Sequence, residues 1–506
     1  MKEKLKVLFV SAEVAPFATV GGLSQVSYFL PKALMKKGVE IKVFLPKYGT
    51  IDEKKFPLKM VIKGLKVPIG RGANLICNLK SLKQKKNEPE VFFLENMEYY
   101  EKRANVYGYK DDHIRFALLS RGVLEFLKTN NHWRPEVIHG NDWQTGYLIN
   151  DLRTKYKKRP HFKKMATILT IHNLRNQGPS DYRFASPLNF DSGKGKLMDF
   201  FAKNFKKQNP LKRGIIYADL VNTVSETYSR EMMTPEYGEG LDELLREVRT
   251  KVFGVLNGLD YLEFNPAEDK IIKENFSVST LAKRVINKID LQKEFGLTNN
   301  EKIPLISFCS RFDSQKGIDL IEEILPRLLA ELDFQFVAMG SGSSRYRTFF
   351  EKLKKDFPDK VGVYLQSNWS LPRKIFAGSD LLLLPSKFEP GGIVVVEGMR
   401  YGAVPLVRKT GGLSDIVTPF DIESNSGTGF VFGKYDSFIL GVTIVRALEV
   451  YKMKKIWRQL VRRCLLEDFS WEKVADKYLD LYQRAINFRK KALFKKSKIM
   501  REIKYQ

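Results

Sequence analysis

Residues 5–45 read LKVLFVSAEVAPFATVGGLSQVSYFLPKALMKKGVEIKVFL and set the pattern of the N-terminal half of the chain. The apolar run at Lys6–Ser11 predicts a buried strand. Apolar residues then recur at helical spacing over Leu23–Lys37, and Gly38 predicts the end of that helix. Ile41–Leu45 predicts the next strand. This order predicts a parallel β-α-β unit, because two parallel strands need a crossover helix between them.

The same alternation continues along the chain in two series. In the first series, further strands are predicted at Val91–Leu94, Val137–His139, Thr167–Ile171 and Leu220–Val224. In the second series, strands are predicted at Pro304–Cys309, Phe334–Met339, Val361–Leu365, Leu381–Leu384 and Val404–Val407, with a helix at Gly317–Leu332. We therefore predict an α/β protein with two doubly wound Rossmann-like domains that face each other across a cleft. Ligands of such sheets bind outside the carboxyl ends of the strands.

The length of 506 residues exceeds one compact core and suits two domains. We expect an N-terminal domain at residues 1–260 and a C-terminal domain at residues 261–480. Residues 481–506 are expected to form a basic helical tail. The polar stretch 268–300 is consistent with the entry helices of the second domain.

Composition excludes several function classes. The three cysteines are scattered and odd in number, so neither a disulfide framework nor a zinc site is expected, and a reducing cytoplasm fits best. We expect neither a secretory signal nor a transmembrane helix, because the N-terminal apolar run is short and no apolar run reaches transmembrane length. The net charge of +28 is spread over basic runs at 83–86, 155–164, 203–213 and 484–504. No nucleic-acid-binding signature accompanies them, so we expect no specific nucleic-acid partner and no membrane partner.

Three motifs follow predicted strands. In the first, Thr19, Val20, Gly21 and Gly22 lie between the first strand and the first helix. Paired glycines allow a ligand to approach the backbone closely, and a helix N-terminus offers amides to a phosphate. A tight turn without function remains an equal alternative for this motif taken alone.

The second motif, Ser310–Gly317, reads SRFDSQKG directly after a predicted strand. Arg311 offers a planar fork to phosphate oxygens, and Lys316 offers a mobile point charge. We expect both cations to converge on a diphosphate. The alternative is a pair of solvated surface cations, which the strand-loop-helix context disfavours.

The third motif runs from Pro385 to Ile393, reads PSKFEPGGI, and continues to Glu397. Glu389 lies in the loop, where it can accept sugar hydroxyls, and Glu397 lies two turns into a helix, where it can reach a ribose diol. The amides of Gly391, Gly392 and Ile393 can face the sugar or the phosphates. The alternative, two ordinary glutamates on a helix face, is disfavoured by the Pro-Gly-Gly break.

With these and further motifs, the chain resembles bacterial glycogen synthases and plant starch synthases, which are retaining glycosyltransferases of the GT-B fold. The resemblance extends from about Lys4 to Tyr482. It includes SAEVAPF…GGL (11–23), YGYKDDHIRFALL (107–119), HGNDWQTG (139–146), TIHNLRNQG (170–178), YADLVNTVSETYSREM (217–232), VLNGLD (255–260), SRFDSQKGIDL (310–320) and TGGLSDIV (410–417).

The resemblance implies an acceptor-side role for residues 1–260, nucleotide-sugar binding for residues 261–480, and a role for each matching residue. Arg311 and Lys316 are expected to hold the donor diphosphate and stabilise it as it leaves, without a metal or other cofactor. The donor glucose is expected to meet the side chains at four matching positions: Asp142, His172, Asn257 and Glu389. Asp142 can alternatively cap the next helix, Asn257 can be a left-handed turn residue before Gly258, and a lone histidine such as His172 is usually structural.

The sequence also departs from the bacterial pattern. Thr19 stands where a lysine is usual, Gln25 where an aspartate is usual, and Gln144 where a histidine follows Asp-Trp. Gly391–Val395 reads GGIVV where bacterial enzymes commonly read CGLTQ. These changes leave the choice between ADP-glucose and UDP-glucose open.

The expected function is elongation of an α-1,4-glucan at its non-reducing end, with ADP-glucose or UDP-glucose as donor and the α-glucan as acceptor. Three alternatives remain open from the sequence. They are a retaining GT-B transferase with another acceptor, a catalytically weak glucan-binding regulator, and, most remote, a basic nucleic-acid binder.

Overall fold

The computed structural model describes residues 4–83, 88–130, 132–180, 182 and 191–502, with side chains described as far as Lys495. Among these residues, no helix combines the length and the apolar content that crossing a bilayer requires. The chain divides into two compact units. Unit 1 comprises Met1–Val224, Ser229–Gly258 and Trp471–Gln506, and unit 2 comprises Ser225–Tyr228 and Leu259–Ser470.

Fifteen strands are found in the described residues. They are β1 (Lys6–Val10), β2 (Glu40–Pro46), β3 (Lys59–Gly70), β4 (Ala73–Leu82), β5 (Glu90–Glu95), β6 (Val137–Asn141), β7 (Ala166–Ile171), β8 (Leu220–Thr223), β9 (Val252–Gly254), β10 (Leu305–Cys309), β11 (Gln335–Met339), β12 (Val361–Tyr364), β13 (Leu381–Leu384), β14 (Val404–Arg408) and β15 (Phe430–Phe432).

Sixteen α-helices accompany these strands in the same part of the chain. They are α1 (Gly22–Lys36), α2 (Asp112–Thr129), α3 (Gly146–Arg153), α4 (Pro160–Lys164), α5 (Pro210–Tyr217), α6 (Glu226–Glu231), α7 (Asp242–Glu247), α8 (Arg284–Phe295), α9 (Ile318–Glu331), α10 (Ser344–Asp356), α11 (Leu371–Gly378), α12 (Ile393–Arg400), α13 (Gly411–Ile416), α14 (Ser437–Lys452), α15 (Lys454–Leu466) and α16 (Trp471–Glu502).

The sheet of unit 1 has nine strands in the order β3-β4-β5-β2-β1-β6-β7-β8-β9. It is parallel from β5 to β9, whereas β4 runs antiparallel to both β3 and β5. The sequence predicted the parallel strands except β9, and it did not predict the β3–β4 hairpin. Val7, Leu8, Phe9 and Val10 of β1 are fully buried, as expected of a central strand covered on both faces.

The sheet of unit 2 has six parallel strands in the order β12-β11-β10-β13-β14-β15. The strand order reverses between β10 and β13, as it does between β1 and β6 in unit 1. Such a reversal is the place where open α/β sheets bind their ligands, outside the carboxyl ends of the strands. The predicted motifs follow these strands in both units.

Helix α16 brings the end of the chain back to unit 1. The Tyr482 hydroxyl lies 3.0 Å from Nδ1 of His139, and Asn222 Nδ2 donates to the Tyr478 hydroxyl over 3.2 Å. Trp471, Tyr478 and Tyr482 are buried. The sequence division assigned residues 471–480 to the second domain and 481–506 to a separate tail. The aromatic stripe of α16 instead packs on the sheet of unit 1, because that face offers buried polar partners for the tyrosine hydroxyls.

Candidate active site

In unit 1, the loop after β6 holds Asp142 in a conformation that is rare for a residue with a side chain. Its φ is 53° and its ψ is −171°. Such a backbone costs on the order of 1–3 kcal/mol, and the surrounding contacts must hold it in place. Asp142 Oδ1 accepts a hydrogen bond from the amide of His172 over 2.7 Å, which joins the ends of β6 and β7. The side chain makes no cap hydrogen bond, so the capping alternative for Asp142 is wrong.

Burial shifts the protonation of this pair towards the neutral forms. Burial, with a smaller contribution from the Glu13 carboxylate, raises the pKa of Asp142 to about 7. Burial lowers the pKa of His172 to about 4. Near neutral pH, His172 is therefore uncharged and Asp142 titrates, which is a common property of functional carboxyl groups.

Asn141 fixes the ring of His172. Its Nδ2 donates to the carbonyl of Val10 over 3.0 Å, so its Oδ1 faces the ring and lies 3.0 Å from His172 Nε2. Because an amide oxygen only accepts, Nε2 of the neutral ring carries the proton and Nδ1 is the acceptor. His172 is thus oriented by a neighbour that the sequence analysis did not identify.

The glycine turn is organised by Glu13. Its Oε2 accepts the amides of Val20 and Gly21 over 3.0 and 2.8 Å, and its Oε1 accepts the Tyr107 hydroxyl over 2.7 Å. The expectation that this turn offers its amides to a phosphate is therefore wrong for Val20 and Gly21. A buried carboxylate occupies these two amides, since a buried charge needs donors.

The outer side of the same turn is open. Thr19, Gly21 and Gly22 are exposed, and a Cβ placed on either glycine would meet no atom within 4 Å. The turn therefore leaves room for a ligand to approach its backbone, which is what the sequence predicted for the glycine pair.

Asn257 lies near the end of the second segment of unit 1. Its Oδ1 is buried and has no hydrogen-bond partner among the described residues. Asn257 is not among the described residues with positive φ, so the left-handed-turn alternative is wrong. A Cβ at the adjacent Gly258 would collide with Trp471 of α16, which explains the glycine there. A buried unpaired amide oxygen is costly and fits a position that a ligand completes.

In unit 2, the loop after β10 carries two cations in different environments. The side chain of Arg311 is 70% exposed, and its NH1 lies 3.1 Å from Asp313 Oδ2. Asp313 also accepts the amide of Gln315, which shapes the short turn before Lys316. Gly317 follows with φ +70°, and a Cβ there would collide with the carbonyl of Pro385. The close approach of the two loops therefore requires glycine at this position.

Lys316 forms a buried ion pair with Glu389, which follows β13. The distance from Lys316 Nζ to Glu389 Oε2 is 2.6 Å, and the two side chains are only 11% and 10% exposed. The Ser386 hydroxyl donates to the same carboxylate oxygen over 3.0 Å. The structure thus brings together Lys316 and Glu389, but it leaves Arg311 in solvent with Asp313 as its ion-pair partner.

The Pro-Gly-Gly turn positions the start of α12. Gly392 has φ +70°, and a Cβ there would lie 2.9 Å from a methyl carbon of Leu413. The carbonyl of Glu389 accepts the amide of Gly412 over 2.9 Å, which joins the loops after β13 and β14. In the described part of the chain, the amides of Gly391 and Gly392 donate to no protein acceptor. These amides and that of Ile393, the first residue of α12, are available to an anion.

Glu397 projects from the second turn of α12. Burial, with a smaller contribution from Glu263, raises its pKa to about 7, against the opposing charge of Arg373. Glu389 precedes the helix and Glu397 lies within it, so the two glutamates do not share a helix face. Within the residues that the structure describes, no three His, Cys, Asp or Glu side chains converge on a position suited to a metal ion.

Sequence reasoning missed the residues that orient the site. These residues are Glu13, which holds Val20 and Gly21, Asn141, which orients His172, and Ser386, which donates to Glu389. One signal was available for Glu13, because it is the only charged residue between Lys6 and Lys32. The partners of Asn141 and Ser386 lie on other loops, and no local pattern marks them.

Comparison with known proteins identifies the family of the chain. The sequence pattern of the family described as Starch synthase catalytic domain matches residues 6–247, and that of Glycosyl transferases group 1 matches residues 290–463. The glycogen synthase of Clostridium perfringens is 40% identical over 485 residues, which cover 95% of this chain and 98% of that protein. The glycogen synthase of Thermosipho melanesiensis is 39% identical over 487 residues, covering 96% and 100%.

Among solved structures, the catalytic domain of starch synthase IV from Arabidopsis thaliana, bound to ADP and acarbose, is similar with a TM-score of 0.83. It is 32% identical and covers 96% of this chain and 100% of that chain. These similarities extend over both units and agree with the motifs at the carboxyl edges of the two sheets. The chain therefore belongs to the glycogen synthase and starch synthase family, and it is a hexosyltransferase with the GT-B fold.

Proposed function

We propose that this protein transfers glucose from ADP-glucose, or from UDP-glucose, to the non-reducing end of an α-1,4-glucan with retention of configuration. The observation that carries the proposal is the buried Lys316–Glu389 pair at the strand-order reversal of unit 2. It lies in a chain similar over nearly its whole length to a starch synthase bound to ADP and acarbose.

In unit 2, we assign the donor diphosphate to Lys316, Arg311 and the amides of Gly391, Gly392 and Ile393. A cation beside the leaving diphosphate stabilises the charge that develops as the glycosidic bond to phosphate breaks. When the diphosphate binds, Lys316 would share its proton donors between Glu389 and the phosphate. Glu389 is then positioned to accept glucose hydroxyls, and Glu397 to accept a ribose hydroxyl.

In unit 1, we assign glucose binding to Asp142, His172 and Asn257. We also assign the exposed turn of Thr19, Gly21 and Gly22 to donor binding. The neutral ring of His172 and the unpaired Oδ1 of Asn257 suit sugar hydroxyls, which both donate and accept hydrogen bonds. Neither group needs to lose a charge when it binds a neutral sugar.

The proposed reaction breaks the bond between glucose C1 and the phosphate oxygen and forms a bond between C1 and an acceptor hydroxyl oxygen on the same face. The acceptor proton passes to the leaving phosphate. No carboxylate nucleophile is required, and the side-chain cations supply the charge that a metal supplies elsewhere. We therefore expect full activity after treatment with a chelator.

The test offers radiolabelled ADP-glucose or UDP-glucose to the full chain, with and without glycogen, in buffer containing EDTA. We expect label in the polymer, dependent on glycogen, from one or both donors. Label from neither donor would overturn the proposal. Label transferred only to another acceptor would instead support a different retaining transferase, and glycogen binding without transfer would support a regulator. Loss of activity in EDTA that added metal restores would contradict the metal-independent part.

A further inference from the structure

Two basic runs that are far apart in the sequence meet at the amino edge of the unit 1 sheet. Helix α4 directly precedes β7, and Arg489 of α16 donates through Nε to the carbonyl of Lys163 over 2.6 Å. The NH1 of Arg489 also lies 3.8 Å from Asp219, which directly precedes β8. We call the exposed cations of these two runs the basic edge. They are Lys157, Lys158, Arg159, Lys163, Lys164, Lys490, Lys491 and Lys495.

Carboxylates among the described side chains do not neutralise the charges of the basic edge. In the described part of the chain, no ion pair joins any of these eight side chains to a carboxylate. Burial, and to a smaller extent the charges of Arg134 and Arg159, lowers the pKa of His161. Unpaired cations at this density attract a polyanion.

The proposed transferase reaction does not use this surface. Asp142 and His172 follow the carboxyl ends of β6 and β7, whereas the basic edge lies at the amino end of β7. A strand of six residues separates the two edges by roughly 20 Å. The glucan acceptor is uncharged, so it offers no partner to lysine side chains.

The composition of the basic edge selects among polyanions. Seven of its eight cations are lysines, which act as mobile point charges, whereas nucleic-acid sites favour the planar fork of arginine. Phe494 is 74% exposed and follows Lys490 by four positions and Lys491 by three, so it shares their face of α16. An exposed aromatic ring among lysines on a helix is typical of segments that lie in a lipid interface.

We propose that the basic edge docks onto an anionic phospholipid surface, with the lysines at the headgroups and Phe494 in the interfacial layer. This proposal assigns a function to part of the net charge of +28, for which the proposed transferase reaction has no role. It also revises the expectation, drawn from the sequence, that the protein has no membrane partner. It holds independently of the donor and acceptor proposed above.

The test is flotation of the full chain with phosphatidylcholine vesicles, prepared with and without phosphatidylglycerol. The variant replaces Lys490, Lys491 and Lys495 with Gln. Its matched control replaces Lys352, Lys354 and Lys355 with Gln, three exposed lysines of α10 in unit 2 with the same change in net charge. Each lysine near an anionic surface contributes about fivefold in partitioning, so the first variant should bind on the order of 100-fold more weakly. The control should retain most of the wild-type binding.

A second variant, Phe494→Ser, changes no charge and should also weaken binding to the anionic vesicles. Equal losses in the α16 variant and in the α10 control would show that net charge alone is responsible and would overturn the proposal. Binding to poly(U) RNA with no binding to anionic vesicles would overturn it in favour of a nucleic-acid surface. Transfer of labelled glucose to glycogen should stay at the wild-type rate in the α16 variant, which also shows that it is folded.

Discussion

The buried pair of Lys316 and Glu389 allows a quantitative test by a double-mutant cycle. At 2.6 Å and an effective dielectric constant of about 20, the attraction between the charges is roughly 6 kcal/mol before desolvation is subtracted. Removing one partner leaves the other charge buried without compensation, which typically costs about 3–5 kcal/mol. We expect Lys316→Met and Glu389→Gln each to lower the free energy of unfolding by about 3 kcal/mol.

In the double variant, no uncompensated charge remains, so its loss of stability should be smaller than the sum of the single losses by about 2 kcal/mol. The measurement is differential scanning calorimetry of the full chain, read on the transition of unit 2. The matched control is Lys374→Met, which breaks a pair with Glu294 at 2.9 Å whose side chains are 34% and 38% exposed. That exposed pair should contribute at most about 1 kcal/mol.

The same variants separate stability from donor binding. Saturating ADP should raise the midpoint of unfolding in the wild type and in the Lys374→Met control, because a ligand that binds only the folded state stabilises it by about 2.7 kcal/mol at one hundred times its Kd. Lys316→Met should lose most of that shift. Additive losses in the double-mutant cycle, or an undiminished ADP shift in Lys316→Met, would refute the reasoning.

Three further predictions concern the two half sites. Because the folded pKa of Asp142 is raised to about 7, the contribution of this group to stability is present at acid pH and is lost as the pH rises towards 7. Asp142→Asn should therefore flatten the fall of the unfolding free energy between pH 4 and 7. An unchanged slope would contradict the assignment. Glu13→Gln removes one of the carboxylate oxygens that accept from Val20, Gly21 and Tyr107, and it should lower kcat/KM for the donor by 10- to 100-fold. Tyr107→Phe should lower kcat/KM by a smaller factor. Wild-type kinetics in Glu13→Gln would exclude a role for the turn. In chemical denaturation, Gly392→Ala should lower the free energy of unfolding by about 1–2 kcal/mol more than Gly296→Ala does. Both glycines have φ +70°, but a Cβ meets a close neighbour, Leu413, only at Gly392. Equal losses of stability in the two variants would show that the contact with Leu413 has no effect.

The sequence by itself determined eleven of the fifteen strands in the described residues and the positions of the motifs; it did not determine β3, β4, β9 or β15. Apolar runs such as Val7–Val10 must be buried in any stable fold of this chain. A glycine pair after such a run indicates a loop at the end of the strand. These patterns involve residues close together in the sequence, so they can be interpreted without knowledge of the rest of the fold. The family resemblance added roles to residues whose chemistry was already visible, among them Arg311 and Glu389.

The tertiary structure decided which of these residues meet. Lys316 and Glu389 are 73 positions apart, and only the reversal of strand order between β10 and β13 places their loops together. Glu13 accepts hydrogen bonds from two amides of the glycine turn, which the sequence analysis had predicted to bind a phosphate. Helix α16 returns to unit 1 and carries its lysines to the run before β7. Each of these contacts depends on packing between distant segments, and local periodicity carries no information about such packing.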